Sequence, residues 1–243
     1  MSQVLELIAH GAPLEEILTA IVELAESRWT DGIAAIMLVE DDQTLRVGAG
    51  PRLPFGYVAG IAGLPIALSG GSCGAAAFRR EPVFAVDIGR DEAWTNYRDL
   101  ASEYGFAACW SLPIVTSTDR LVGTLALYFR KPRAPKPGEA NFANDEGLLA
   151  AIAIEKSQID DVAHERDRAV REALERRAYE LHRALRSIAA ALETIATTMG
   201  DGSPIERECA AIQREAINIA RVTESLTDAP SAAAVTEHLL ADD

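Results

Sequence analysis

No apolar run in this 243-residue chain approaches the ~20 residues needed to span a bilayer, and the N-terminal MSQVLELIAHG lacks a basic region followed by an apolar one. The sequence therefore predicts a cytosolic, cytoplasmic protein without a membrane partner. Basic residues are scarce, 23 Lys and Arg against 37 Asp and Glu, for a formal net charge of −14. Such a surface repels phosphate backbones, so no nucleic-acid partner is expected. Cysteine is limited to Cys73, Cys109 and Cys209, widely spaced and with no CxxC pair. That excludes a structural zinc site built from neighbouring cysteines and fits reduced thiols. The histidines, His10, His164, His182 and His238, all lie outside residues 32–129, so an imidazole-held metal or haem in that stretch would need a ligand from elsewhere. GGSCG lacks the GK[ST] of a phosphate-binding P-loop.

Hydrophobic residues make up 49% of the chain, ample for a core. Three short runs bounded by turn residues, Val83–Ile88, Ala107–Val115 and Leu121–Phe129, read as strands. The last two are separated only by Thr116–Arg120, a connection too short for anything but an antiparallel hairpin. Gly32–Val39 and Thr44–Gly48 form a second hairpin. Residues 13–28 place Leu14, Ile17, Leu18, Ile21, Val22, Leu24 and Ala25 at the spacings of three and four of an amphipathic helix, with Pro13 in its first turn. Residues 49–72 are too rich in Gly and Pro for a long element and are expected to fold over the sheet as short helix and loop. A helix begins at CGAAAFR with Ser72 as its N-cap, and a thiol at Cys73 would feel the positive dipole end. EAWTNYRDLASEYG reads as one helix stopped by Gly105.

The segments GSCGAAAFRREPV, DI followed by DEAWTNYRDLA, ACWSLPI and VGTLALYFRKPR together resemble the GAF domain, a sensory module common in bacterial signalling, in the subtype associated with histidine kinases. The resemblance covers about residues 10–156. It implies an α+β fold, an antiparallel sheet with helices on its faces, and a ligand pocket walled in part by residues 49–72. On that resemblance the candidate ligand-binding residues are Phe55, Tyr57, Cys73, Asp87, Trp94, Tyr97, Arg98, Cys109, Trp110 and Ser111. The plainer alternative is a collapsed core without a ligand, with Cys73 a packing residue between glycines and Cys109 part of the core. No cofactor, metal or catalytic residue is assigned. Free methionine sulfoxide reductases share the GAF fold and a cysteine in a similar context, but need further cysteines in the preceding pocket loop; none lies between Gly32 and Ser72.

Beyond the last strand, residues 145–198 contain no proline and only Gly147 as glycine, so one long helix or two nearly continuous ones are expected. Leu174, Ala178, Leu181, Leu185, Ile188, Leu192 and Ile195 alternate steps of four and three, a heptad seam. After a turn at Gly200–Pro204, with Ser203 as cap, a second seam runs through Ile205, Cys209, Ile212, Ala216, Ile219 and Leu226, broken at Thr223. Two such helices make an antiparallel coiled-coil hairpin, and a homodimer would cover their remaining apolar edges. The expected organisation is a GAF domain over 1–156, a charged helical connector over 157–173, a dimerisation hairpin over 174–228 and a flexible tail over 229–243.

LERRAYELHRALRSIAAALE resembles the phosphoacceptor helix of histidine kinases and places His182 at the acceptor position. Arg183 stands where that family has an acid, and Ser187 where it has glutamine. No room for an ATP-binding domain follows Leu226. The function expected is a cytosolic, non-enzymatic signalling protein that senses a small ligand or redox state and relays it through the hairpin to a histidine kinase or response regulator. The alternatives are a thiol-dependent reductase using Cys73 and a phosphotransfer protein using His182. Incubation with ATP alone is expected to leave His182 unmodified, because a guanidinium cannot take the imidazole proton as a carboxylate would. Acid-labile phosphate formed without a partner protein would contradict this.

Overall fold

The computed structural model describes residues 1–40, 43–137, 139, 141, 143–199 and 204–227. The chain divides into two compact units, Met1–Asp160 and Asp161–Asp243. The first is built on six strands: β1 (Gly32–Glu40), β2 (Thr44–Ala49), β3 (Leu64–Pro65), β4 (Val83–Ala85), β5 (Ala108–Val115) and β6 (Leu121–Phe129). They form one sheet in the order β3-β2-β1-β6-β5-β4, and every pairing is antiparallel. β1 and β6 hold the centre, and β6 pairs with β5 in a hairpin. Its turn closes with Thr116 accepting from Asp119 N at 3.0 Å and Thr116 N donating to Arg120 O at 2.9 Å. Gly123 is required here, since a Cβ would lie 2.2 Å from Met37 O on the neighbouring strand.

Because side chains alternate along a strand, β1, β5 and β6 feed two separate cores. Ala34, Ile36, Trp110, Leu112, Leu125, Leu127 and Phe129 point to one face. There they meet α2 (Leu14–Arg28) and the first turns of α6 (Asn144–Met199), through residues such as Ile21, Val22, Ala150 and Ile154. Ala35, Met37, Cys109, Ala126 and Tyr128 point to the other face. That side is covered by α3 (Phe55–Gly60), α4 (Gly71–Arg79), a 3₁₀ turn at Glu92–Trp94 and α5 (Arg98–Glu103).

Several expectations need correction. A helix not read from the sequence, α1 (Ser2–Ala9), precedes α2, with Val4 and Ile8 buried. Eight residues are too few for a stable isolated helix; burial of those two side chains, about 2 kcal/mol each, holds it. Pro13 is the residue before the first turn of α2 rather than within it. The strand expected at Val83–Ile88 stops at Ala85, because Asp87 Oδ1 accepts from Gly89 N at 3.0 Å and turns the chain. The helix expected over EAWTNYRDLASEYG is two pieces, the first capped by Asp91, whose Oδ1 accepts from Ala93 N at 2.9 Å. Gly105, at φ +71, ends the second as expected. Pro113 sits in β5 beyond the last residue paired with β4, where its missing N–H costs no ladder bond on that side.

The connector after β6 is pinned by one side chain. Arg133 bonds Asp31 at 2.6 Å and Glu139 at 3.0 Å, and its guanidinium lies 4.6 Å from the Phe129 ring, 5.0 Å from Trp110 and 5.6 Å from Trp29. Its carbonyl accepts from Trp110 Nε1 at 3.0 Å. Beyond it, fully buried Glu146 in the first turn of α6 pairs with Arg28 at the end of α2, 3.2 Å away, where both helix dipoles favour these charges.

In the second unit α6 runs unbroken to Met199 and is followed by α7 (Pro204–Thr227). His182, Leu185 and Ala189 of α6 and Ala216, Ile217 and Arg221 of α7 line one groove, the pairing of an antiparallel hairpin. The turn at Gly200–Ser203 and the tail 229–243 lie outside the described residues, as do residues 41 and 42 between β1 and β2. Among the described residues no helix is long and apolar enough to cross a membrane.

Replacing Arg133 by Ala is expected to destabilise the first unit by about 2 kcal/mol, the value of a desolvated cation over aromatic rings, read as a lower urea midpoint. Arg133→Lys should recover less than half of the loss, since an ammonium cannot stack or fork between Asp31 and Glu139.

Candidate functional site

The GGSCG stretch brings α4 unusually close to the sheet edge. A Cβ at Gly70 or Gly74 would lie 2.1 or 2.3 Å from Pro65 O, and Gly71 has φ +61. Only glycine permits this approach. Gly70, not Ser72, occupies the N-cap position. Ser72 is instead inside the first turn, and its hydroxyl works sideways: it accepts from Trp94 Nε1 at 2.9 Å and donates to the Cys109 carbonyl at 3.1 Å. One hydroxyl thus joins the 3₁₀ turn, α4 and β5.

Beneath it, Tyr57, Ile61, Leu64, Gly71, Cys73, Trp94, Tyr97 and Tyr128 line a small cavity of about 10 Å³, room for a single water. Tyr57 is packed edge-on against Phe106 (4.8 Å), Tyr128 (5.6 Å) and Tyr104 (5.8 Å). Cys73 Sγ lies 3.3 Å and Cys109 Sγ 3.7 Å from Ser111 Oγ. The Tyr57 phenol, beside that of Tyr128, and Thr124 Oγ1, beside Cys73, are buried without a hydrogen bond of good geometry.

The electrostatics follow from burial. The neighbouring Cys109 thiol is the strongest influence on Cys73, outweighing desolvation and bringing its thiol down to about 7. Desolvation pushes Cys109 well up, and the neighbouring Cys73 adds to it. The phenols of Tyr57 and Tyr128 are raised well above the usual value, first by burial, and Tyr97 is raised for the same reason.

Of the candidate residues, Tyr57, Cys73, Trp94 and Tyr97 line the cavity, with Cys109 and Ser111 behind Cys73. The others do not converge there. Phe55 is 88% exposed at the start of α3. Trp110 points to the opposite face of the sheet from Cys109 and Ser111, against Trp29 and Phe129. Asp87 shapes the turn after β4. Arg98 donates to the carbonyls of Ile88 (3.4 Å) and Asp91 (3.1 Å), tying down the segment that carries Trp94 and Tyr97. Tyr128, Thr124 and the sideways role of Ser72 are absent from the sequence reading. Strand pairing was the available signal, because Cys109 faces Tyr128 and Pro113 faces Thr124 across the hairpin.

A larger groove of about 500 Å³ lies outside α4, between it, β4 and the 3₁₀ turn, lined by Leu68, Arg79, Phe84, Asp91 and Glu92. His182 is half-buried in the α6–α7 groove, about 200 Å³, with Arg186 and Arg221. Among the described residues no three His, Cys, Asp or Glu side chains converge to hold a metal ion.

A six-stranded antiparallel sheet with α4 and Trp94 closing a small chamber on one face, and terminal helices on the other, is the architecture of a small sensory module. The chain belongs to the GAF domain family, whose model matches residues 11–155. It is 34% identical over 165 residues to the methyl sulfide methyltransferase-associated sensor of Methanosarcina acetivorans; the aligned stretch is 68% of this chain and 16% of that protein. Among solved structures it resembles the GAF domain of a phosphoenolpyruvate-protein phosphotransferase from Coxiella burnetii, with TM-score 0.55 and 17% identity over 66% of this chain and 94% of that one. It also resembles a domain of a two-component sensor histidine kinase protein from Sinorhizobium meliloti, with TM-score 0.53 and 20% identity over 63% of this chain and 97% of that one. These two likenesses establish the fold.

Stability is expected to fall as pH rises above about 10. Tyr57 and Tyr128 ionise at their ordinary value of 10.0 only in the unfolded chain, so their contribution is complete below that pH and is lost above it. Urea unfolding at about pH 8 and about pH 11 should show the decline, and Tyr57→Phe with Tyr128→Phe should reduce it, the remainder coming from Cys109 and Tyr97, which burial also raises. Gly74→Ala should cost about 1–3 kcal/mol in the same assay by pushing α4 off Pro65.

Proposed function

We propose that this chain is a non-catalytic sensor whose GAF domain binds a small molecule in the chamber under Trp94 and whose α6–α7 hairpin, paired with a second copy, relays the change to a signalling partner. The observation that carries the reading is the pair of buried hydroxyls, Tyr57 Oη and Thr124 Oγ1, left without good partners beside the chamber. Buried polar groups normally have partners, and a ligand with polar groups on an apolar body would supply them. At about 10 Å³ the chamber has room for no more than a water; a larger molecule needs the Trp94–Tyr97 segment, held by Ser72 and Arg98, to move aside. The relative's name as a sensor supports the same reading.

The relay rests on the hairpin. Leu174, Leu181, Ile188 and Ile195 recur every seven residues and are 45–66% exposed in the single chain, while the intervening Ala178, Leu185 and Leu192 are half-buried. A second copy covering the first series completes a four-helix bundle. The partner is a histidine kinase or response regulator, met through that bundle, and the organisation is a GAF domain over 1–156, a connector over 157–173 and a dimerisation hairpin over 174–228.

Native mass spectrometry of the purified protein should show a co-purified small molecule that dissociates in Trp94→Ala; a ligand-free wild type that binds nothing from a metabolite library would refute ligand sensing. Light scattering should show a dimer that Leu181→Asp converts to monomer, because the new carboxylate would lose about 3–5 kcal/mol if buried unpaired. An unchanged dimer would place the interface elsewhere.

A further inference from the structure

Cys73 and Cys109 lie 36 positions apart in sequence, on α4 and β5, and both are buried, 2% and 0% exposed. Both sulfurs are within reach of the single hydroxyl of Ser111, at 3.3 and 3.7 Å, and both are free thiols. The residue beside Cys73 fixes their approach: Ser72 Oγ donates to the Cys109 carbonyl at 3.1 Å, drawing the α4 backbone to within one side chain of β5. Two packing cysteines have no need of such an arrangement, since either would be served by alanine or valine. Here the thiols face each other and a shared hydroxyl in a pocket that also holds the Tyr128 phenol and Thr124. Only one of them borders the chamber. Cys73 lines it, whereas Cys109 sits behind.

We propose that Cys73 and Cys109 are a peroxide-oxidised dithiol: Cys73 is the attacking thiol and Cys109 the resolving one. The proposal does not depend on a ligand occupying the chamber. The Cys73 thiolate attacks one oxygen of a hydroperoxide, the O–O bond breaks, and the departing oxygen leaves as water or alcohol after taking a proton. Cys73 is then a sulfenic acid. The Cys109 sulfur attacks the Cys73 sulfur, the S–O bond breaks, and the hydroxide carries off the Cys109 proton as water. Two thiols and one hydroperoxide give one disulfide and two molecules of water, or one of water and one of alcohol. Three features fit this order of events. The neighbouring Cys109 thiol and Ser111 lower Cys73 to about 7, so a share of it is thiolate at neutral pH, while burial holds Cys109 protonated until its partner is oxidised. Ser111 touches both sulfurs and can pass a proton between them. The narrow chamber restricts the oxidant by size: hydrogen peroxide, with two heavy atoms, needs only a small outward movement of the Trp94–Tyr97 segment, while glutathione disulfide cannot approach Cys73.

The test is to treat the full-length protein with hydrogen peroxide, block remaining thiols, digest with trypsin without reduction and map the peptides. The expected product is a single disulfide joining peptides 53–79 and 99–120, which contain Cys73 and Cys109, with Cys209 left alkylated and the protein lighter by two hydrogens. Glutathione disulfide at the same concentration should give less than a tenth of that product. In Cys109→Ser a cyclic 1,3-dione should trap sulfenic acid on Cys73, and in Cys73→Ser oxidation of Cys109 should be lost. Circular dichroism checks that both variants fold, and serine is small enough to fit either site. Three unmodified thiols after peroxide, a bond through Cys209, or oxidation of Cys109 undiminished in Cys73→Ser would overturn the proposal. The ligand experiment above is read separately, since a bound small molecule is found or not found whatever the state of the thiols.

Discussion

The Ser72 hydroxyl is the constraint on which the chamber side of the domain depends. It takes the indole proton of Trp94 and gives its own to the carbonyl of Cys109, so a roof residue, a helix and a central strand meet at one oxygen. The position is reachable only because Gly70 and Gly74 let the start of α4 rest against Pro65 O. Remove the close approach, and Ser72 no longer spans to β5, Trp94 loses its buried partner, and Cys73 no longer meets Ser111. An unmet buried indole N–H alone costs about 1–3 kcal/mol, so the effects compound rather than act singly.

Strand β5 is the other shared element, because it faces both cores. Cys109 and Ser111 look into the chamber side, and Trp110 between them looks out to Arg133, Trp29 and Phe129. Arg133 in turn anchors the connector that leads to α6, and Glu146 at the start of α6 is tied to Arg28. Displacing β5 by even a fraction of an ångström on the chamber side therefore bears on the residues that hold the beginning of the long helix, since a close-packed interior transmits strain instead of absorbing it.

The period-2 and period-3.6 patterns made the sheet, α2 and the long α6 legible in the sequence, and the short turn between β5 and β6 made their pairing so. What failed was the step from element to face. Trp110 joins the candidate pocket as one of its aromatics, yet it lies between Cys109 and Ser111 on a strand, where neighbours point apart. Tyr128 and Thr124 went unnoticed because their relevance appears only when β6 is laid against β5 in register. Ser72 looks like a cap by residue type; the cap belongs to Gly70 because the backbone at Gly71 turns through positive φ. α1 carries too few residues to announce itself, and Phe55, apolar but 88% exposed, shows that an aromatic in a pocket-walling segment need not face the pocket.

The small size of the chamber has a kinetic meaning. On the proposed reading, a ligand larger than water finds no vacant room in the resting chamber and binds there only to the fraction of molecules in which Trp94 and Tyr97 have swung clear. Its apparent dissociation constant is then the intrinsic one divided by that fraction. The approach to equilibrium ceases to quicken once ligand is abundant, because the rate of opening sets the pace. On the proposed ligand-sensing reading, such gating trades speed of response for selectivity: brief pulses of ligand pass unrecorded, and only concentrations that persist longer than the opening time register.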